Sequence, residues 1–422
     1  VDWARRIMLG RLTRAEVAAQ ASAILARPAE PDLIATVYRR SDGNPLFVEA
    51  LLDDDPHGLP GSLTDLLATR VERLGPDAAA VVRAAAVGGV QVRHAVLEAV
   101  CASGGIEDID PRVRATVEAG VLVVDGDGYR FRHALIRDAV LAGLLPGERT
   151  RLHRCYADVL ATTGGAPAEL SYHLTAAGDG PGAVAAAWDA ARQAHQALAY
   201  AEELQLLERV LQWWESVPGV AQLVGADRAT VLEKAGWAAL RAGEATRGEQ
   251  LVTNALAETG IADAHTAALL KLRARLRAHI GHPGVGADLR AALDAAPEHH
   301  PIRPHVLNAL AAHLIDVPDQ QTARSLAQHA LSAAQQHGDP SAEAAALITL
   351  ATLNARRGDL DAELPRLNRA AELARAGGDE HLWLLALNRQ SQLLHAYGRL
   401  ADAERVAREG LAAAAEAGLA RS

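Results

Sequence analysis

The stretch Tyr129-Arg130-Phe131-Arg132-His133-Ala134-Leu135-Ile136-Arg137-Asp138 holds most of the chain's candidate chemistry. Arg132 and Arg137 flank a polar spot at His133. Imidazole and guanidinium are hydrogen-bond donors suited to an anion. A lone histidine at a strand end is otherwise a structural residue, and on the residues alone both readings stand. A second motif, Gly43-Asn44-Pro45-Leu46-Phe47-Val48-Glu49, lies earlier. Gly43 or Asn44 can take a positive φ to end one helix, and Pro45 suits the first position of the next. That reading alone makes the motif a turn. Covalent catalysis has no constellation: the chain contains no Gly-x-Ser-x-Gly elbow. It also contains no Gly-x-x-x-x-Gly-Lys-Ser/Thr phosphate loop, and Lys234 and Lys271 are its only lysines. His299, His300 and His305 are flanked by prolines and lack a His-Glu-x-x-His pattern, so they read as a solvated loop between repeats rather than a metal site.

The elements that must position these residues are mostly helical. Thr13 with Glu16 three residues on is a capping box for a helix over 14–25. Pro28 and Pro31 separate it from a second helix over 31–40, and Leu46 to Leu52 restarts a third. Leu63, Leu66, Leu67, Val71 and Leu74 fall at helical spacing after Ser62. Residues 13–74 therefore read as a small helical domain. Helices are expected from Pro76 to Gly88, His94 to Val100 and Pro111 to Glu118. Val121 to Val124 and Tyr129 to Arg132 flank Asp125-Gly126-Asp127-Gly128, a strong hairpin signal. Three helices and one short β-hairpin have the order of a winged helix, assigned to 75–162 and closed by a helical stretch from Ala134 to about Leu160. Phe131 and Leu135 are expected to pack inward.

From 163 to 422 the chain is alanine-rich and periodic. Gly243, Gly281, Pro318, Gly358 and Gly398 mark turns 38, 37, 40 and 40 residues apart. Fixed-period helix–turn–helix units make a solenoid. The period resembles that of tetratricopeptide (TPR) repeats, with about six units over 183–419 and a degenerate first unit at Trp188 to Trp214. The fold class is thus mainly α: a small helical domain, a winged helix, then an α-solenoid of TPR-like repeats. A concave solenoid face recognises proteins, peptides or a small effector.

Composition narrows the function classes. The 422 residues are 50% hydrophobic but only 3% aromatic, which favours closely packed helices. The formal net charge is −10. That opposes a nucleic-acid surface, which needs a basic face against phosphates, and the first two winged-helix helices carry no basic stripe. No direct nucleic-acid contact is expected. Cys101 and Cys155 fit neither a metal knuckle nor a disulfide framework and read as thiols in a reducing cytoplasm. No run of residues is apolar enough for a membrane span. Acidic pairs such as Glu202-Glu203, and Asp53-Asp54-Asp55, read as solvated faces and linker.

The two motifs, in this order, resemble the nucleotide-sensing ends of STAND-class ATPases, and the extension Leu46-Phe47-Val48-Glu49 resembles the large ATP-binding LuxR-family transcriptional regulators. Gly147-Glu148-Arg149-Thr150-Arg151-Leu152-His153-Arg154 also matches that family, with a helix-capping and ion-pairing role. The resemblance covers most of 10–160 by motif and the repeats by architecture alone. It implies that Pro45, within Gly43-Asn44-Pro45, lies against the adenine of ATP or ADP. It implies that His133 contacts the β-phosphate of ADP, with Arg132 and Arg137 in support. It further implies an ATPase core ahead of the segment, of which residues 1–12 would be the tail, and a DNA-binding domain after it. Val1 in place of methionine fits such a segment. Lacking the phosphate loop, the segment is expected to be no enzyme and to bind no nucleotide tightly by itself. The other reading is a TPR protein-interaction scaffold, standing alone or linked to a signalling enzyme.

Overall fold

The computed structural model describes residues 10–41, 43–53, 69–316, 320–355 and 360–416. The chain divides into two compact units, Val1–Ala186 and Ala187–Ser422.

In the first unit, α1 (Arg14–Leu25), α2 (Pro31–Ser41) and α3 (Pro45–Asp53) enclose Val17, Val37, Val48 and Leu51. The Thr13 hydroxyl accepts from the Glu16 amide, and the Glu16 carboxylate accepts from the Thr13 amide at 2.7 Å. The capping box read from the sequence is therefore formed. Leu63, Leu66 and Leu67 lie outside the described residues, as do Asp54 and Asp55. Val71 and Leu74 pack into the core of the elements that follow.

Those elements are α4 (Pro76–Gly88), β1 (Gln91–Arg93), α5 (His94–Ser103), α6 (Asp110–Glu118), β2 (Leu122–Asp125), β3 (Gly128–Phe131) and α7 (Ala134–Gly143). The hairpin pairs Leu122 with Phe131 and Asp125 with Gly128. Gly126 supplies the positive φ of 62° that the turn requires. A strand not foreseen in the sequence, β1, pairs antiparallel with β3 and gives the order β1-β3-β2. Only Val92 of β1 is buried, so the strand has no run of apolar alternation to announce it. Gly128 admits it: a Cβ there would stand 2.2 Å from the Val92 carbonyl oxygen. Phe131 is buried as expected, and the Leu135 side chain lies outside the described residues.

The single helical stretch expected from Ala134 to Leu160 is broken. Pro146 forces Leu145 into an extended conformation (φ −64°, ψ 147°), and α8 (Pro146–Thr163) starts afresh. The Glu148 carboxylate accepts from the Leu145 amide at 3.1 Å, which gives this segment the capping role expected of it. Helix α9 (Pro167–Ala177) follows, then α10 (Gly180–Gln196), whose later residues belong to the second unit.

The second unit continues with α11 (Tyr200–Gln212), a short α12 (Val220–Val224), α13 (Arg228–Arg241), α14 (Ala245–Leu256), α15 (Asp263–Ile280), α16 (Val285–Ala295), α17 (Ile302–His313), α18 (Gln320–His337), α19 (Pro340–Ala355), α20 (Leu360–Ala376), α21 (Glu380–Ala396) and α22 (Leu400–Glu416). Apart from α12 they form the helical pairs of a TPR-like solenoid, each helix packing on its neighbours in chain order. Gly243, Gly281 and Gly398 occupy turns within pairs with φ of 80°, 70° and 75°. Pro318 and Gly358 lie outside the described residues.

Small residues set the spacing of the helices. Ala323, Ala327, Ala330 and Ala334 form a fully buried stripe along α18. On α13 a Cβ at Gly236 would stand 2.5 Å from Val252, and on α14 a Cβ at Gly248 would stand 2.7 Å from Leu276. Gly236→Val is therefore an overpacking change, expected to cost about 1–3 kcal/mol. Thermal melts would show it; a variant melting with the wild type would mean that α13 and α14 part freely. Among the described residues no helix is long and apolar enough to cross a membrane.

Candidate functional site

Gly43, Asn44 and Pro45 connect α2 to α3. Gly43 is buried with φ +70°, and a Cβ on it would stand 2.4 Å from the Leu12 carbonyl oxygen. Its own carbonyl accepts from the Leu12 amide at 2.7 Å, so the turn also ties down the chain ahead of α1. The buried Ser41 hydroxyl accepts from the Gly43 amide at 3.2 Å. Asn44 accepts through its carbonyl from the Phe47 and Val48 amides and opens α3. Pro45 is the first residue of α3, is exposed, and accepts through its carbonyl from Gln20 Nε2 at 2.8 Å.

His133 is the residue before α7, extended at φ −135° and ψ 135°, and it makes no capping bond with its side chain. Its Nε2 lies 3.8 Å from Glu49 Oε2, and Arg132 Nη2 lies 3.6 Å from Glu49 Oε1. Glu49 is the last residue of the first motif. One carboxylate thus joins the two motifs, held by an imidazole and a guanidinium. Glu49 and His133 are about one-third exposed and Arg132 is half-exposed. An ion pair this wet contributes roughly 0–1 kcal/mol. It does not hold the unit together; it is a contact that can exchange.

Two neighbours complete the surround. Arg70 donates to the Ala119 carbonyl through Nε and Nη2 at 3.1 and 2.8 Å. A Cβ on Gly120, whose φ is +64°, would stand 3.2 Å from Arg70 Nη2 and 3.3 Å from Arg132 Nη1. Two guanidinium groups therefore bracket a glycine that leaves them room. Arg137 instead directs its Nε to the Ala86 carbonyl at 3.0 Å, tying α7 to α4. Glu49 stands in the first motif, yet its contact partners lie more than 80 residues away and leave no mark at that position. A carboxylate that closes an otherwise apolar helix start was the available signal.

Other titratable groups are placed as follows. His153 and His173 bring their Nδ1 atoms within 3.0 Å of each other in the interior between α8 and α9. Both are 1% exposed. Burial, with Arg149 close to His153, pushes both imidazoles down to about 4. Tyr156 stacks on His173 at 4.7 Å and donates to the Ala84 carbonyl at 2.9 Å. Burial pushes the Cys101 thiol up to about 11, so it is an inert core thiol. His305 bonds Asp339 at 2.8 Å, and His300 accepts from the Ile302 amide. Among the described residues no group of three or more His, Cys, Asp or Glu side chains could hold a metal.

Glu203 corrects the sequence reading. The expectation of a solvated face holds for no more than Glu202: Glu203 is 6% exposed. His195 Nδ1 lies 3.0 Å from its carboxylate. The carboxylate can enter the interior because the imidazole eight residues earlier offers a partner.

No protein-family model matches the chain. An uncharacterised protein of Rhizobium meliloti (strain 1021) is 32% identical over 143 residues, covering 29% of this chain. The match covers only 14% of that relative's length. Among solved structures, a STAND protein with a tetratricopeptide repeat sensor from Pyrococcus horikoshii aligns over 96% of this chain and 60% of its own. That alignment has 11% identity and a TM-score of 0.42. The apo form of the quorum sensor NprR from B. thuringiensis aligns over 95% and 99%, at 11% identity and a TM-score of 0.46. A putative kinesin light chain from Podospora anserina with TPR-like repeats aligns over 45% and 96%, at 15% identity and a TM-score of 0.35.

Proposed function

We propose that the chain is the regulatory and sensor portion of an ATP-dependent transcriptional regulator of the large LuxR type. The solenoid takes an effector or partner protein, and the Gly43–Glu49 and Tyr129–Asp138 motifs report the state of a nucleotide. The observation that supports this most is the meeting of the two motifs at Glu49. In this reading the carboxylate of Glu49 occupies Arg132 and His133 when no nucleotide phosphate is there. The β-phosphate of ADP carries more charge and more acceptor oxygens than a carboxylate, so it displaces Glu49 and takes both donors. Pro45, exposed at the start of α3, contacts the base. Exchange between carboxylate and phosphate is the two-state element, and effector binding biases it. The phosphate loop and the DNA-binding domain belong to the longer protein this reading requires.

The test is ADP retention in that longer protein. His133→Ala is expected to weaken ADP binding roughly tenfold, the order of one charge-assisted hydrogen bond. Glu49→Gln is expected to strengthen it, because the competing carboxylate is gone. Unchanged retention in both variants would remove the switch reading. The scaffold reading, in which the solenoid docks proteins with no nucleotide link, would then take its place; its support is the run of helical pairs itself.

A further inference from the structure

The first two helical pairs of the solenoid enclose a cleft of about 390 Å³ lined by helices α10, α11 and α13. Each lining helix presents one face. Trp188, Arg192 and His195 come from α10, Glu203 and Leu207 from α11, and Lys234, Trp237 and Arg241 from α13. Spacings of three, four and seven residues put these side chains on single helix faces. The volume is that of a small-molecule site, at the lower end of roughly 300–1,000 Å³.

The charge inside it is one-sided. The single lining carboxylate, Glu203, is already bonded to His195. Lys234 and Arg241 have no carboxylate within 4.0 Å among the described residues. Arg192 has only Asp189, at 3.6 Å on its own helix and largely exposed. The guanidinium of Arg241 is held over two rings, 5.2 Å from Tyr200 and 5.8 Å from Trp237. Arg275, from α15, stacks on Trp237 as well, at 5.6 Å. Aromatic faces fix these cations in position without neutralising them. Burial first, and then the nearby cation, pushes Arg275 (beside Arg241) and Lys271 (beside Arg275) below their ordinary range.

The acids nearby are engaged elsewhere. Glu233 bonds His265 at 3.0 Å, Asp339 bonds His305 at 2.8 Å, and Asp379 accepts from Ser341 at 3.0 Å. A chain of net charge −10 thus gathers cations at this cleft, and the two that line it from α13, Lys234 and Arg241, have no carboxylate in ion-pair reach among the described residues. An anion at this point relieves their mutual repulsion.

We propose that this cleft binds a small aromatic molecule bearing a carboxylate or phosphate, with its ring against Trp188 and its anion on Lys234 and on Arg241, which Trp237 and Tyr200 hold in place. The assignment rests on reading the solenoid as the effector-binding part, and it names that effector's chemistry. The probes are 1-naphthylacetate, 1-naphthyl phosphate and the neutral 1-naphthylacetamide, titrated calorimetrically into the chain at low salt. At least one acid is expected to bind about tenfold or more tighter than the amide, and which acid does so separates carboxylate from phosphate ligands. Arg241→Gln and Lys234→Gln, both at exposed positions, are expected to weaken the acid by a similar factor and leave the amide unchanged. Trp188→Leu weakens acid and amide alike. Equal binding of acid and amide, binding indifferent to Arg241, or no binding of any probe overturns the assignment. None of those results touches the nucleotide reading, whose readout is ADP retention at His133.

Discussion

Between about pH 6.5 and pH 4 the chain is expected to lose stability through one pair of rings, His153 and His173. Both imidazoles are buried, and both are pushed down to about 4 by that burial. In the unfolded chain they titrate near the ordinary value of about 6.5. The unfolded state therefore binds more protons across this window, so stability rises with pH there and falls as pH drops. The contribution is whole above about 6.5 and is spent by about 4. Its size is on the order of 3 kcal/mol per ring and less than additive for two coupled rings. The geometry gives the same answer without the titration. Two Nδ1 atoms 3.0 Å apart make one bond, with one ring donating and the other accepting; charging the accepting ring sets two N–H groups against each other, and charging the donating ring puts a cation in the interior with no anion bonded to it. Thermal melts from pH 4 to pH 8 on the wild type and on the double variant His153→Leu, His173→Phe isolate the effect. The variant is expected to melt with a flatter pH profile, the second phenyl keeping the stack on Tyr156. Parallel profiles would show that the pair is not the acid-sensitive element.

Asp288→Ala is expected to destabilise the second unit by about 3–5 kcal/mol, the range for breaking a buried ion pair from one side. Asp288 is 4% exposed. It takes Arg273 through two bonds of 2.9 and 2.7 Å and Arg277 through a third of 2.9 Å. Arg277 Nε passes the chain of charge to Glu249 at 2.7 Å, and Glu249 receives His282 at 2.8 Å. The Arg277 hydrogen bond holds the Glu249 carboxyl below its usual range. The network crosses α14, α15 and α16, so it fixes how one helical pair seats on the next. Truncation leaves two guanidinium groups facing each other with little water to take the charge. Urea unfolding followed by circular dichroism measures the loss. A change below about 1 kcal/mol would mean that the arginines swing out to solvent. Asp288→Asn, which keeps an acceptor for one bond, falls between.

Legibility in the sequence followed the range of the forces involved. The Thr13–Glu16 capping box and the positive φ of Gly43 depend on residues within a few positions, and both were readable. So was the period of the solenoid, because each turn repeats a local requirement. The strand at Gln91–Arg93 was not readable. It exists because Gly128 lets a distant backbone approach, and nothing in three residues says so. The break at Leu145 was within reach, since Pro146 is a plain stop signal. Glu203 and His195 form a pair only once their helices turn toward each other. His153 and Tyr156 share one face of α8, and a polar ring on an apolar face was the hint of its buried partner. Glu49 shows the limit most clearly: its motif was read, but its contact lies in another motif, and only folding brings the two together.

The stacking of the solenoid has a consequence for how far any event within it is felt. Each helical pair rests on the pairs before and after it. Such a stack behaves as a one-dimensional array, with a stability for each unit and a coupling for each junction. It has a correlation length rather than a single all-or-none transition. A stabilising event at α10–α13 decays toward α22 by one junction at a time. Distance along the stack, counted in junctions, then sets the strength of any message the solenoid carries, and a weakened junction anywhere on the way silences everything beyond it.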